Sequence, residues 1–315
     1  MLNNYPRLKR FLRKIKNSLK NISAKYRLQN KVIKKVTQIL PNVSCIDIGA
    51  SYYPHPAWEV FRRSSRTNWI AVEPNKQNLS YLTDWKWPSK VHAVETGLSE
   101  LGGQQTLYVT NVDSGSSLLE PELTETMVHR FPRKDYLFPL KKIVINTITL
   151  QNVLDQLTGA IDPIAVKLDT QGSEFSILKG VDINLVKSRF FCIELENTLQ
   201  AEPIMKGATP FYEVFALFEK AGFELVHLKP IQIIGPFTNK TLGGSTVLNE
   251  CDAVFLLRIS EAKKRGLQTQ LALVGAYVSY SLFGEALNML NHIVATCDSI
   301  ELKQHCSEIA DLIKP

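Results

Sequence analysis

From residue 44 onward, short β-branched runs alternate with helical stretches, and this alternation constrains the fold more than any other feature of the chain. Ser44–Ile48 (SCIDI), Trp69–Glu73 (WIAVE), Val91–Glu95 (VHAVE), Ile164–Asp169 (IAVKLD) and Phe190–Leu195 (FFCIEL) read as strands, and Gln105–Val109 and Lys142–Ile148 are further candidates. Helices are expected over Pro54–Arg63, Asn75–Leu82, Ser173–Lys179 and Phe211–Ala221, the last ended by Gly222. Strands joined through helices pair in parallel by right-handed crossovers, in a sheet covered on both faces. Phe223–Leu228 and Ala253–Arg258 have little helical pattern between them and are expected to run antiparallel. The body, residues 43–259, is therefore expected to be an α/β domain with a mostly parallel sheet whose last strand is antiparallel.

Two appendages flank it. Residues 1–42 form a basic arm: the first 46 residues hold twelve Lys and Arg and no Asp or Glu, while the rest carries 25 basic and 30 acidic residues. Leu8, Phe11, Leu12, Ile15, Leu19 and Ile22 recur at helical spacing among the lysines, which describes a basic amphipathic helix ended by Pro41 and Asn42. Three uses of such an arm compete: packing on the body, contact of residues 1–36 with an anionic membrane, and nucleic acid. The last is disfavoured by the acidic body and by the lack of an aromatic platform among the basic residues. Residues 260–315 read as a helical extension, with a helical pair over Leu271–Phe283 and Glu285–Thr296 broken near Gly284, then a third helix to about Ile313. The longest apolar stretch, Leu271–Val278, is far short of a bilayer span. Five cysteines at scattered spacings, with no zinc-type cluster, suit free thiols and a reducing compartment. A cytoplasmic protein is expected, with the arm able to reach the inner face of the membrane.

In an open parallel sheet, ligands bind at the carboxyl ends of the strands, where the strand order reverses. The first strand ends in CIDIGASYY, Cys45–Tyr53, with Asp47 before the turn at Gly49, and Glu73 ends the second strand. A dinucleotide would want further glycines to bring backbone N–H groups to a pyrophosphate. Only Gly49 is present. S-adenosylmethionine carries no phosphate but a sulfonium and an ammonium, so acidic residues near one glycine favour it. A second constellation is VKLDTQGSEFSILKG, Val166–Gly180. Asp169 ends a buried strand, Gly172 allows a turn, Ser173 can cap the next helix and Glu174 lies in its first turn. Glu194 and Glu196 end the following strand on one face, and His55 follows the first loop. No His cluster supports a transition metal, and no metal is expected. Residues 110–142, containing DSGSS, and the 230–250 segment are the stretches expected to set acceptor choice.

DIGAS, VEPN, KLDTQGSEFSILKG, IELE and the late ECDAVFL together resemble the FkbM family of methyltransferases over about residues 43–258. The resemblance implies a class I, Rossmann-like methyltransferase fold, S-adenosylmethionine as donor, and O-methylation of a hydroxyl on a sugar or natural product. On this chain it implies donor contacts at Asp47, Gly49, Ala50 and Glu73, and a reaction centre near Asp169, Gln171 and Glu174. The chain departs from the family pattern at Ser51 and Tyr53, where donor contacts are therefore not expected, and at Gln171, where the family often has Glu and where an amide cannot take a proton. Asp169 is the first choice of base, with Glu174 and Glu196 as alternatives; Gln171, His55 and Glu194 are candidates for holding the acceptor. The expected acceptor is a saccharide or glycan, lipid-linked if the arm sits on a membrane. A small natural product, a nucleic acid, or a non-catalytic scaffold role are the alternatives.

Overall fold

The computed structural model describes residues 25–85, 87–88, 91–122, 138–157, 162–200, 203–233 and 247–314. The apolar stripe from Leu8 to Ile22 lies outside these residues, as do 123–137 and 234–246. The described part of the arm is a helix, α1, over 25–39. Val32, Val36, Ile39 and Leu40 recur on one side of it and are buried in the main core. Each such side chain contributes about 1.5–3 kcal/mol of burial.

Seven strands among the described residues form one sheet. In chain order they are β1 (Val43–Ile48), β2 (Thr67–Val72), β3 (Val91–Val94), β7 (Ile164–Leu168), β8 (Phe190–Thr198), β9 (Phe223–Ile233) and β10 (Val247–Leu257). Their spatial order is β3-β2-β1-β7-β8-β10-β9. All neighbours from β3 to β8 are parallel, and β10 runs antiparallel to both β8 and β9. The chain moves outward from β1 to β3 and then returns to place β7 beside β1. The order reverses there, and side chains and backbone at the two strand tips flank a crevice. This is the arrangement of a class I methyltransferase sheet.

Between β3 and β7 the chain builds a second, three-stranded sheet from β4 (Gly97–Leu98), β5 (Gly103–Thr110) and β6 (Pro139–Ile148), in the order β4-β6-β5. The antiparallel register sets Val109 opposite Lys141, Leu107 opposite Ile143 and Gln105 opposite Ile145. Alternation along each strand therefore puts Leu107, Val109, Ile143 and Ile145 on one face.

The helices that matter for the site are short. The stretch Pro54–Arg63 is not one helix: a 3-10 turn at Pro56–Trp58 leads into α2 (Glu59–Arg62). Pro56 holds His55 extended, so helical geometry begins only after it. Trp58 and Phe61 are fully buried. α3 (Lys76–Thr83) follows β2 and is capped by the Asn75 side chain, which accepts from the Gln77 and Asn78 amides. α4 (Leu150–Asp155) precedes β7, and α5 (Glu174–Lys179), α6 (Ile183–Arg189) and α7 (Phe211–Lys220) connect the later strands.

The C-terminal region is α8 (Ile259–Arg265), α9 (Leu267–Ser279), α10 (Phe283–Thr296) and α11 (Ile300–Ile313). The break between α9 and α10 falls at Tyr280–Leu282, not at Gly284, which lies in the first turn of α10. Ser281 takes the left-handed conformation there (φ 59°), and its N–H bonds back to Val278. Nearly all of α9 is buried. A Cβ on Gly275 would lie 2.8 Å from Leu40 and 3.0 Å from Phe61, so α9, the end of α1 and α2 meet at that point. No described helix is long and apolar enough to cross a membrane.

Candidate active site

The crevice at the switch point opens into a cavity of about 280 Å³. Gly49, Ser51, Glu73 and Asn75 line one side, Asp169 and Thr170 another, and the apolar face of the second sheet, Leu107, Val109, Ile143 and Ile145, roofs it. Ser114, Ser116 and Ser117 of the DSGSS segment also reach it.

On the β1–β2 side the backbone does most of the positioning. Gly49 has φ 75°, a conformation that suits glycine. Its N–H and that of Ala50 both donate to the Val72 carbonyl, at 2.9 and 3.2 Å, which ties the loop to the tip of β2. A Cβ at Gly49 would sit 2.0 Å from the Asp169 carbonyl oxygen, so the loops after β1 and β7 can approach this closely only with glycine there. Glu73 follows β2; its N–H donates to Val94 and its Oε1 accepts the Asn75 N–H at 2.8 Å. The Ser51 hydroxyl is buried with no hydrogen-bond partner among the described residues. Ala50 is buried against Ala71, Leu79 and Leu82 and does not line the cavity. Asp47 does not line it either: it is 2% exposed, with Lys167 Nζ 3.7 Å away.

On the β7–β8 side, side chains form a network. Parallel register aligns Asp47, Lys167 and Glu194 in one row, with Asp169 and Glu196 two residues further along their strands on the same face. Lys167 Nζ lies 3.1 Å from Asp169. Burial works against the ammonium charge, but Asp169 and Asp47 override it and hold Lys167 well above the usual lysine range. In return, although burial opposes its charge, the Lys167 ammonium keeps Asp169 ionised and below the usual carboxylate range. Burial outweighs Lys167 at Asp47, whose carboxyl is raised. Asp169 is the open member of the row, its side chain 37% exposed.

Gln171 has a left-handed backbone, φ 57°. Its Nε2 donates to Asp169 Oδ1 at 3.2 Å and to Glu196 Oε2 at 3.1 Å. Burial and the neighbouring Asp169 push Glu196 well above the usual range. Glu174 has a different task from a free carboxylate at the reaction centre. It is 1% exposed, and its oxygens accept the N–H groups of Thr170 (2.7 Å) and Gly172 (2.9 Å to the nearer oxygen). It closes the loop that carries Gln171. Burial, partly countered by those backbone bonds, pushes its pKa to about 7. Ser173 makes no capping bond; its hydroxyl donates to Thr170 Oγ1.

Behind this row, His55 Nε2 lies 2.9 Å from Glu194 Oε2. The Tyr280 hydroxyl, from the end of α9, donates to the same oxygen and accepts from Trp58 Nε1 at 2.9 Å. Although burial opposes its charge, Glu194 is held below the usual carboxylate range, chiefly by His55. The network thus unites Asp169, Gln171, Glu194, Glu196 and His55, all readable as candidates from sequence. It also includes Lys167, Trp58 and Tyr280, which were not candidates. A lysine inside the otherwise apolar strand IAVKL, two residues before Asp169, was a usable signal; Tyr280, 86 residues from Glu194, offered none. Among the described residues there is no group of three or more His, Cys, Asp or Glu able to hold a metal ion.

Residues 47–225 match the family model of the methyltransferase FkbM domain. No curated protein matches the chain. Similar solved structures include a precorrin-6y C5,15-methyltransferase from Geobacter metallireducens GS-15, 14% identical, with a TM-score of 0.31, over 72% of this chain and 86% of that one. Another is an S-adenosylmethionine-dependent methyltransferase from Anabaena variabilis ATCC 29413, 10% identical, with a TM-score of 0.29, over 70% of this chain and 80% of that one.

Proposed function

The chain belongs to the FkbM methyltransferase family, and from that membership we propose that it transfers the methyl group of S-adenosylmethionine to a hydroxyl oxygen of a sugar or glycan. The observation that carries the reading is the single cavity that joins Gly49, Glu73 and Asp169 at the switch point. The residues present fit the donor. Gly49 leaves room for close backbone approach, the buried Ser51 hydroxyl lacks a partner among the described residues, and Glu73 offers a carboxylate suited to a ribose diol. When bound, the donor supplies a methyl carbon activated by a sulfonium, so an attacking oxygen forms the new C–O bond while the C–S electron pair returns to sulfur.

Much of the acceleration comes from positioning. Gly49, Glu73 and Asn75 bind and orient on the β1–β2 side, joined, against the expectation from the sequence, by Ser51, which lines the cavity. The apolar roof excludes water from the cavity. Asp169, fixed by Lys167 and Gln171 and open to the cavity, orients the acceptor hydroxyl, and the Asp169–Glu196 pair takes its proton. A polyhydroxylated acceptor suits a wall of carboxylates, an amide and serines better than an apolar one.

Calorimetry with S-adenosylhomocysteine, followed by labelled-donor incubation with saccharide-containing fractions, tests the reading. Binding should weaken about 10–100-fold in Glu73→Ala, the loss of one charge-assisted hydrogen-bond group. Asp169→Asn should keep that affinity while transfer falls by about 100-fold or more. Label recovered on nitrogen or carbon would remove the O-methyl assignment, and an Asp169→Asn rate equal to wild type would remove the role given to Asp169.

A further inference from the structure

Two carboxyl groups meet on one amide at the tip of β7–β8. Gln171 Nε2 touches Asp169 Oδ1 and Glu196 Oε2 at 3.2 and 3.1 Å. The amide is aimed there by a fixed loop. Glu174 holds the Thr170 and Gly172 N–H groups, and the Gln171 carbonyl accepts the Ser117 hydroxyl at 2.8 Å. The charges facing Glu196 are unbalanced. From β7 and its loop come Asp169 and, beyond it, Lys167; from α5 comes Glu174; from β10 come Glu250 and Asp252, the register partner of Glu196. β9 brings Lys229, which pairs with Asp252 at 3.0 Å, while Lys167 is shared between Asp169 and Asp47. Both ammonium groups are thus engaged by aspartates, and a full charge on Glu196 would add to an acidic surplus.

We infer that in the free enzyme Asp169 and Glu196 share one proton, carried by Glu196, and that the pair gives it up to solvent when a cation enters the adjoining cavity. The inference rests on the donor reading above and extends it to the order of events. Glu196 is a carboxylate able to accept the acceptor's proton only in donor-loaded enzyme. The product, S-adenosylhomocysteine, has a neutral thioether, so the charge beside the pair is lost as the methyl leaves sulfur, and the hydroxyl proton passes to Glu196 as the C–O bond forms. Two close carboxyl groups on one amide titrate as a unit, as coupled carboxylates do. The directions found for the pair, Asp169 down and Glu196 up, are those of a shared proton. A unit positive charge arriving within about 6 Å lowers a neighbouring carboxyl by about two pKa units, which favours release of such a proton.

The test is a proton count that needs no acceptor. Calorimetric titration of the full chain at pH 7 with S-adenosylmethionine and with S-adenosylhomocysteine, each in two buffers of different ionisation enthalpy, gives the protons released per ligand. The two ligands share their amino-acid and nucleoside groups, so the difference reports the sulfonium. The sulfonium ligand should release about half to one proton more than its neutral counterpart, following proton linkage. In Glu196→Gln that excess should vanish while both ligands still bind. Equal counts for the two ligands in wild type would overturn the inference, whether or not the variant folds, and so would an excess that survives in Glu196→Gln. Failure of both ligands to bind is a separate result: it removes the donor reading itself, and this inference with it.

Discussion

On the β1–β2 side of the switch point, backbone sets the cavity wall: a left-handed glycine, in a loop that two N–H groups tie to Val72, and one carboxylate held by the next turn. On the β7–β8 side Asp169 reaches the cavity from a web of side chains behind it, drawn from four separate stretches, in which Lys167, Asp169, Gln171, Glu196, Glu194, His55 and Tyr280 each depend on another. A donor common to many reactions can be held by geometry that a short loop encodes. An acceptor hydroxyl needs charges set to the right protonation, and that takes partners from distant parts of the chain. Substitutions on the first side should therefore act on folding and donor affinity together, and substitutions on the second should separate them.

Gly49→Ala should have the largest effect. The new Cβ would collide with the Asp169 backbone carbonyl at 2.0 Å, in a conformation that already disfavours a side chain. A loss on the order of 4 kcal/mol is expected, with donor affinity abolished, because the loops after β1 and β7 must move apart. Gly207→Ala is the control. Its φ is 84°, with nothing within 4 Å of the new Cβ, so only about 1 kcal/mol should be lost. Denaturant unfolding of both variants checks this; equal losses would show that the close approach at Gly49 does not matter.

Glu174 gives the next effect, and a pH signature. Its folded pKa of about 7 lies above the ordinary 4.5, so between those values the folded state keeps a proton that the unfolded chain has released. The stability it contributes is complete below pH 4.5 and is lost as pH rises through 7. The shift corresponds to at most about 3 kcal/mol. Unfolding at pH 5 and pH 8 should show wild type losing more stability than Glu174→Gln over that interval. Parallel losses would mean that the Thr170 and Gly172 N–H contacts, and not burial, set the charge of this carboxyl.

The contrast between the two sides also marks what was legible in the sequence. Strand runs such as SCIDI, WIAV and FFCIEL fall inside the sheet because β-branched, apolar strands buried on both faces leave a local pattern. Gly49, Glu73 and Asp169 were legible because each lies at a strand tip. The task of Glu174 was not: a carboxylate in the first turn of a helix reads the same whether it faces a ligand or turns back to the preceding loop. Asp47 and Ala50 lie within two residues of Gly49 in sequence, yet they are buried away from the cavity, since neighbours around a tight turn diverge. The roof formed by β5 and β6 depended on a register that pairs residues more than thirty positions apart, and the grip of α9 on Glu194 depended on where a C-terminal helix docks. Neither leaves a local trace.

That grip provides the smallest and most discriminating prediction. Tyr280→Phe keeps the ring in its buried place and removes one hydroxyl, which now lies between Trp58 Nε1 and Glu194. Two buried groups lose a partner, so about 1–2 kcal/mol of stability should go. Tyr280, Trp58 and Glu194 do not line the cavity, so affinity for S-adenosylhomocysteine should stay within about twofold by calorimetry, equivalent to a few tenths of a kcal/mol. Methyl transfer should fall although the donor still binds, because Glu194, and with it His55, would no longer be held in place beside Lys167. A tenfold loss of donor affinity in this variant would mean that the two sides are one unit. The web on β7–β8 would then extend through Lys167 and Asp47 into the donor loop itself, along the 3.7 Å contact between them.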